Sequence, residues 1–147
     1  MFLGFKTELK LNNVQRTLLA KHSGTARHAW NQALYYTNLI LDVNKLAKEV
    51  GSKTRIKFPS AIDLHKWLVA NIKPDYPWYY DVSKCAPQWA LRQLREAWDR
   101  AFKKVAKPPR FKRKGQHDSF TLDGTIKILG SNRIQVPVIG VLKLNIS

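Results

Sequence analysis

The chain has 147 residues, 44% of them hydrophobic, with 5 Trp, 5 Tyr and 6 Phe, enough to bury roughly two-thirds of its unfolded surface as one compact domain or one and a part. Its 26 basic residues against 10 acidic ones give a formal net charge of +16, a self-repulsion that points to a polyanionic partner, nucleic acid first. No segment approaches the roughly 18 apolar residues of a spanning helix, the start MFLGFKTELKL lacks a signal-peptide layout, and the single Cys85 has neither a disulfide nor a CxxC partner, so an intracellular, cytoplasmic protein without membrane contact or thiolate zinc site is expected.

Phe2 to Leu11 alternates Phe5, Thr7, Leu9 and Leu11 against Lys6, Glu8 and Lys10, the period of a half-buried strand. Asn12 or Asn13 then caps a short helix through Val14, Leu18 and Leu19 that stops near Gly24. Thr25 caps a second helix, from about Ala26 to Val50, with Ala26, Trp30, Ala33, Leu34, Thr37, Ile40, Leu41 and Leu46 near helical spacing. Two helices about a glycine turn fit the description helix-turn-helix, but the supposed reading face is not strongly basic.

Ser60-Ala61-Ile62-Asp63 resembles a capping box with Asp in the Glu place and predicts a third helix from about Ala61 to Asn71. Pro74 and Pro77 bracket an aromatic corner, Tyr76 to Tyr80, expected to pack between helices. A fourth helix runs from about Ser83 to Ala106, its apolar stripe including Trp89, Leu94, Trp98 and Phe102, its polar side Arg92, Arg95, Glu96, Asp99 and Arg100. Cys85 reads as a small buried residue.

The stretch Lys103 to Lys114, KKVAKPPRFKRK, then gathers Lys103, Lys104, Lys107, Arg110, Lys112, Arg113 and Lys114 with no acid. Pro108 and Pro109 fix φ and favour an extended chain, so successive cations splay along a track. Phe111 supplies a flat face that can stack on a base or anchor the segment. An extended basic backbone with an aromatic inside suits RNA or single strands better than a helix in a major groove.

Runs at Ser119–Leu122, Ile126–Leu129, Arg133–Pro137 and Val141–Ile146, separated by Asp123-Gly124, Gly130-Ser131-Asn132 and Gly140, make the last part β-rich with hairpin turns. A lone strand before a helical block has no local neighbour, so it joins the C-terminal strands in one sheet or small barrel, and the helices are an insertion. The fold class is α+β. The expected division is a first strand over 1–11, helices over 12–107 and the remaining strands over 108–147.

The acids form no convincing catalytic pair; Glu96 and Asp99 have arginines three or four positions away and read as surface ion pairs. His22, His28, His65 and His117 show no HxxxH-type spacing, and GxGxxG, GxxxxGK[ST] and GxSxG are absent. No enzyme activity, cofactor or metal is expected of this chain alone.

The ordered landmarks Gly24-Thr25-Ala26-Arg27-His28-Ala29-Trp30-Asn31, Asp81 to Leu91, Ala101-Phe102, Pro109 to Gly115 and Gln135 to Gly140 resemble those of the TnpB/OrfB family, accessory transposases of insertion sequences that are RNA-guided DNA nucleases similar to the ancestors of type V CRISPR effectors. The resemblance covers nearly the whole chain. It implies a wedge domain, a small split β-barrel interrupted by a four-helix recognition domain, that holds guide RNA, the guide–target heteroduplex and a short target-adjacent DNA motif. It carries over Lys84 and Gln88, at the start of the last helix, as contacts to that motif, with Phe58 approaching the same DNA. Gln can read adenine edges and Lys a base or phosphate. With Arg27, Arg92, Lys103, Lys107, Arg110, Phe111, Lys112, Arg113 and Lys114 these form the candidate nucleic-acid-binding set.

Departures stand at Val138 and Val141, where the family commonly has a lysine and a tryptophan, and at Pro87, where it has a larger aliphatic residue. The family's RuvC-like nuclease, its Mg ions and its structural Zn ribbon lie beyond the wedge, so the resemblance implies a truncated, non-cutting part whose partners are RNA, DNA and a missing nuclease half or full-length homologue. The other reading is a free-standing basic RNA/DNA-binding regulatory module.

Overall fold

The computed structural model describes residues 4–145; the ends of the expected first and last strands at Phe2, Leu3 and Ile146 lie outside them. A two-residue strand β1 (Leu9–Lys10) leads into a 37-residue helix α1 (Asn13–Glu49), followed by α2 (Ala61–Trp67), α3 (Cys85–Phe102) and the strands β2 (Lys127–Leu129), β3 (Arg133–Val136) and β4 (Gly140–Leu144). Three α-helices stand where four were expected, because the first two are one.

The fusion has a local reason. Asn12 accepts the Gln15 N–H at 2.8 Å while Gln15 Oε1 accepts the Asn12 N–H at 3.1 Å, a reciprocal capping box that starts the helix. At Gly24 nothing stops it. Thr25 is no cap; its hydroxyl bonds back to the Lys21 carbonyl at 2.8 Å. Ala26, Ala29, Trp30, Ala33 and Leu34 lie on the buried face that follows, and burying that face outweighs the roughly 1 kcal/mol that a glycine costs inside a helix.

Those residues join Leu64, Leu68, Tyr79, Ala90, Leu91, Leu94 and Trp98 in one core between α1, α2, α3 and the aromatic corner. The buried Trp98 indole donates to Thr37 Oγ1 at 3.0 Å, and that hydroxyl donates to the Ala33 carbonyl at 2.8 Å, so these two core side chains are paired.

The Ser60–Asp63 capping box forms as expected, with both bonds at 3.1 Å. Regular α-helix ends at Trp67 rather than Asn71; residues 68–72 form a widened π-turn, followed by two 3₁₀ turns at Lys73–Asp75 and Pro77–Asp81. Pro74 has no N–H to continue the ladder and its ring crowds the carbonyl four residues back. Helix α3 ends at Phe102, short of Ala106, through a Schellman motif: Lys104 takes φ 60° and donates to Ala101, and Val105 donates to Arg100, both at 3.0 Å.

The strands form an open antiparallel sheet in the order β1-β4-β3-β2, not a closed barrel. The first strand does pair with the C-terminal part, Leu9 opposite Leu144 and Lys10 opposite Lys143. With β1 at one edge and β2 at the other, the sheet does not close on itself. Ser119–Leu122 forms no strand; Phe120 packs on the helical core, its ring 5.1 Å from that of His22.

A Cβ at Gly24 would meet only Arg27 Nη2, at an ordinary 3.6 Å. Gly24→Ala should therefore raise unfolding stability by roughly 0.5–1 kcal/mol, measured by urea denaturation; a loss of stability would restore the turn.

Candidate nucleic-acid interface

The basic track lies across α1, held by its backbone. Trp30 Nε1 donates to the Arg110 carbonyl at 2.8 Å, Asn31 Nδ2 donates to the Lys112 carbonyl at 2.9 Å, and the Lys112 N–H donates to Asn31 Oδ1 at 2.8 Å. The Asn31 amide thus serves residue 112 as a neighbouring strand would. Beyond it, Arg27 pairs with Asp118 at 3.2 Å, and Asp118 also accepts the Gly115 N–H, which fixes the loop after the track.

With the backbone fixed, one side chain turns in and its neighbours turn out. Lys112 turns inward, Nζ 4.1 Å from the centre of the Trp30 ring, and burial lowers its pKa from the ordinary value. Arg110, Phe111, Arg113 and Lys114 point outward and are exposed, Phe111 by 54%. Lys103 and Lys107 are exposed on the way from α3 to the track. The expected splay of cations about an aromatic is present, less Lys112.

A cleft of ≈ 440 Å³ beside the clamp is lined by Lys21, Arg27, His28, Asn31, Trp78 and Asp81, among others. The aromatic corner forms its wall. Tyr79 is buried and hydrogen-bonded through its hydroxyl to His28 Nδ1 at 2.7 Å, while the Tyr76 and Trp78 rings meet His28 edge-on. Packing accounts for Tyr76 and Tyr79, yet Trp78 stays 40% exposed and Tyr80 68%. Sequence reading assigned the whole corner to packing and so missed Trp78 as a surface aromatic; five consecutive Pro and aromatic residues carry no signal of which ring faces out.

Lys84, Gln88 and Arg92 follow one another at intervals of four along the start of α3, Lys84 and Arg92 exposed and Gln88 half-buried. Gln88 and Arg92 share a small depression with Ala61, Ile62 and His65 of α2. Arg92 also covers the Trp89 ring at 4.8 Å. Phe58 is not part of this face: half-buried, it packs edge-on against Trp98 and Phe102 with the Arg95 guanidinium 5.0 Å from its centre. Arg95 pairs with Asp99 at 3.3 Å, the expected surface ion pair.

Cys85 is half-buried rather than buried, and its thiol donates to Asp123 Oδ1 at 3.0 Å. That bond, with the neighbouring Trp89 indole, holds the Asp123 carboxyl below the usual carboxylate range. Among the described residues no group of three or more His, Cys, Asp and Glu comes together as a metal site, and no helix is long and apolar enough to cross a membrane.

A family model described as a helix-turn-helix domain, OrfB type of IS605, matches residues 1–38. The chain is also 29% identical over 137 residues to the "Putative RNA-guided DNA endonuclease InsQ" of Escherichia coli (strain K12). Both likenesses support membership of the TnpB/OrfB family. The alignment covers 92% of this chain but 32% of InsQ, so the chain spans about a third of that relative's length. Within the stretch that the family model matches, residues 13–38 form part of one unbroken helix.

Asn31→Ala should free residues 110–114 by removing two hydrogen bonds, each worth roughly 1 kcal/mol. Trypsin should then cut at Arg110, Lys112 or Arg113 several-fold faster while the helical core stays folded by circular dichroism; unchanged cleavage would mean that the clamp is not what holds the track.

His22 is buried, its Nδ1 bonded to the Leu18 carbonyl at 2.7 Å and its Nε2 accepting the Ser83 N–H at 3.0 Å. Desolvation lowers its pKa below 6.5 against an opposing pull from the Leu18 bond, and burial lowers that of His28. A depressed folded-state pKa gives stability that is complete above about pH 6.5 and is lost as pH falls below it, because the unfolded chain takes up the proton first. The melting temperature should drop between about pH 7 and pH 5, and the drop should shrink in His22→Asn.

Proposed function

We propose that this chain is the nucleic-acid-binding front part of a TnpB-like transposon protein, gripping RNA and DNA backbone without cutting it. The observation that carries the reading is the clamped track: exposed cations about an exposed aromatic, on a backbone that α1 holds through three hydrogen bonds. Charge of one sign on a preorganised backbone suits a flexible phosphodiester strand, and Phe111 and Trp78 offer faces on which bases stack.

In this reading the sheet, over 1–11 and 108–147, is the wedge, and the helices, over 12–107, are the recognition part. Together they hold guide RNA and its heteroduplex with target DNA. Lys84, exposed just before α3, and Gln88, half-buried in its first turn, meet the target-adjacent motif, Gln88 by hydrogen bonds to base edges and Lys84 by a base or phosphate contact. Arg92 extends that row. Arg27 acts through the loop it anchors, and Phe58 supports α3 from beneath.

The described residues do not fit a metal centre, so no cutting step is derived from them. The nuclease, its Mg and the structural Zn belong in this proposal to a part supplied by another chain or by sequence beyond the matched third of the relative. Purified chain with Mg²⁺ or Mn²⁺ should leave labelled DNA intact; cleavage abolished by a chelator would overturn this.

Binding should weaken with salt, and replacing Arg110, Arg113 and Lys114 by Ala should flatten the slope of log K against log salt by about 0.7 per lost contact on single strands. Gln88→Ala should instead alter preference among DNA motifs and leave the slope in place. A wild-type slope after the triple change would remove the track from the mechanism.

A further inference from the structure

The sheet register brings Lys10, Lys143 and Arg133 side by side. Lys10 lies directly opposite Lys143, and Lys143 directly opposite Arg133, so β1, β4 and β3 present three cations in one transverse row on one face. Lys127, on β2, points to the same face one pair further along. The other face carries Leu9, Leu144, Leu142, Ile134 and Val136, while Leu129, opposite Arg133, and the Gln135–Val141 pair share the face with the cations.

Like charges directly opposite one another destabilise a sheet, and here three stand in succession. Among the described residues the ion pairs are Arg27–Asp118 and Arg95–Asp99, so no ion pair there neutralises the row; Glu8, just before β1, is exposed and makes none. The row is also shaped. Lys10, Lys143 and Arg133 line an open groove of ≈ 380 Å³ with Asn12, Gln15 and Val141. Gln15 Nε2 donates to the Val141 carbonyl at 2.9 Å, buckling the first turn of α1, which holds no acid, against the strand that carries Lys143.

We propose that Lys10, Lys143 and Arg133 form a second phosphodiester-binding site, and that α1 sets its distance from the track so that both engage one nucleic-acid duplex. The inference rests on the reading of the chain as a nucleic-acid-binding protein. Gln15 at the groove and Asn31 at the clamp are sixteen residues apart on one helix, about 24 Å at 1.5 Å per residue. That span matches about seven base pairs at 3.4 Å per phosphate along a strand. Around the helix at 3.6 residues per turn, Trp30 lies about 60° and Asn31 about 160° from Gln15, so the path from groove to track winds part of a turn around α1.

The test compares duplexes of about 6 and about 16 base pairs, as RNA and as DNA, against wild type, the triple change Lys10→Gln, Arg133→Gln, Lys143→Gln, and the track change Arg110→Ala, Arg113→Ala, Lys114→Ala. Wild type should gain both affinity and salt slope on the longer duplex, and the Lys10/Arg133/Lys143 change should abolish that gain, lowering the slope by about 0.9 per cation on B-DNA. Lys143→Arg should keep the wild-type slope. The RNA and DNA arms show whether an A-form or a B-form backbone supplies the phosphates.

Should the Lys10/Arg133/Lys143 change leave the long-duplex slope untouched while the track change flattens it, the second site is wrong and the functional reading stands. Should neither change alter any slope, both are wrong. Removing the cross-strand repulsion should leave the melting temperature equal or higher. If the triple change lowers it instead, Lys10→Gln alone decides: it should lower the long-duplex slope by about 0.9, and an unaltered slope overturns the site.

Discussion

Trp30 and Asn31, adjacent on α1, hold residues 110–112 through three hydrogen bonds to main-chain atoms. On a chain of net charge +16 this choice of partners matters. Acidic side chains could have fixed the basic segment too, but each would have neutralised a cation and would have to be displaced by an incoming phosphate. Amide and indole groups fix the backbone and leave the charges outside uncompensated. The segment is ordered before it meets its ligand, so the entropy of ordering its backbone, roughly 1–2 kcal/mol per residue, is not charged against binding.

Helix α1 connects this clamp to everything else. Its first turn is buckled to β4 through Gln15, its middle supplies the alanine-rich face packed with α3 and α2, and Arg27 reaches Asp118 beyond the track. A break at Gly24 would uncouple the sheet from the clamp. Continuity through a glycine therefore has a structural consequence, and the helix length becomes the quantity that relates the two cationic surfaces.

Several of these features were legible in the sequence because they depend on neighbours in the chain. The Ser60–Asp63 capping box, the proline-stiffened track, the amphipathic stripe of α3 and the Arg95–Asp99 pair each follow from spacing within a few residues. The pairing of β1 with the C-terminal strands also followed, since an unpaired strand beside a helical block needs a partner. What failed depended on tertiary contacts. Gly24 and Thr25 spell a helix stop, and only burial of the residues after them keeps the helix going. Ser119–Leu122 has strand composition, yet Phe120 gains more by covering His22. Sheet closure depends on strand pairing that spacing along the chain does not report. The row of Lys10, Lys143 and Arg133 was invisible for a plainer reason: cross-strand register brings Lys10 beside residues more than a hundred positions away.

Lys112 shows how charge is divided between fold and ligand. Of the track's cations it alone is turned in, over the Trp30 ring, and desolvation lowers its pKa. A cation held against an indole face is partly desolvated already and is offset by the ring's quadrupole, so it secures the segment and is poorly placed to meet phosphate. Arg110, Arg113 and Lys114 remain hydrated and exposed, and their counterions are the ones a nucleic acid would release. The same division appears where Arg27 and Arg95 are committed to carboxylates, while Lys84 stands open at the helix start. Positive charge in this chain is therefore of two kinds, and which kind a residue belongs to is decided by whether an aromatic ring or a carboxylate lies within reach of it, not by its place in a basic run.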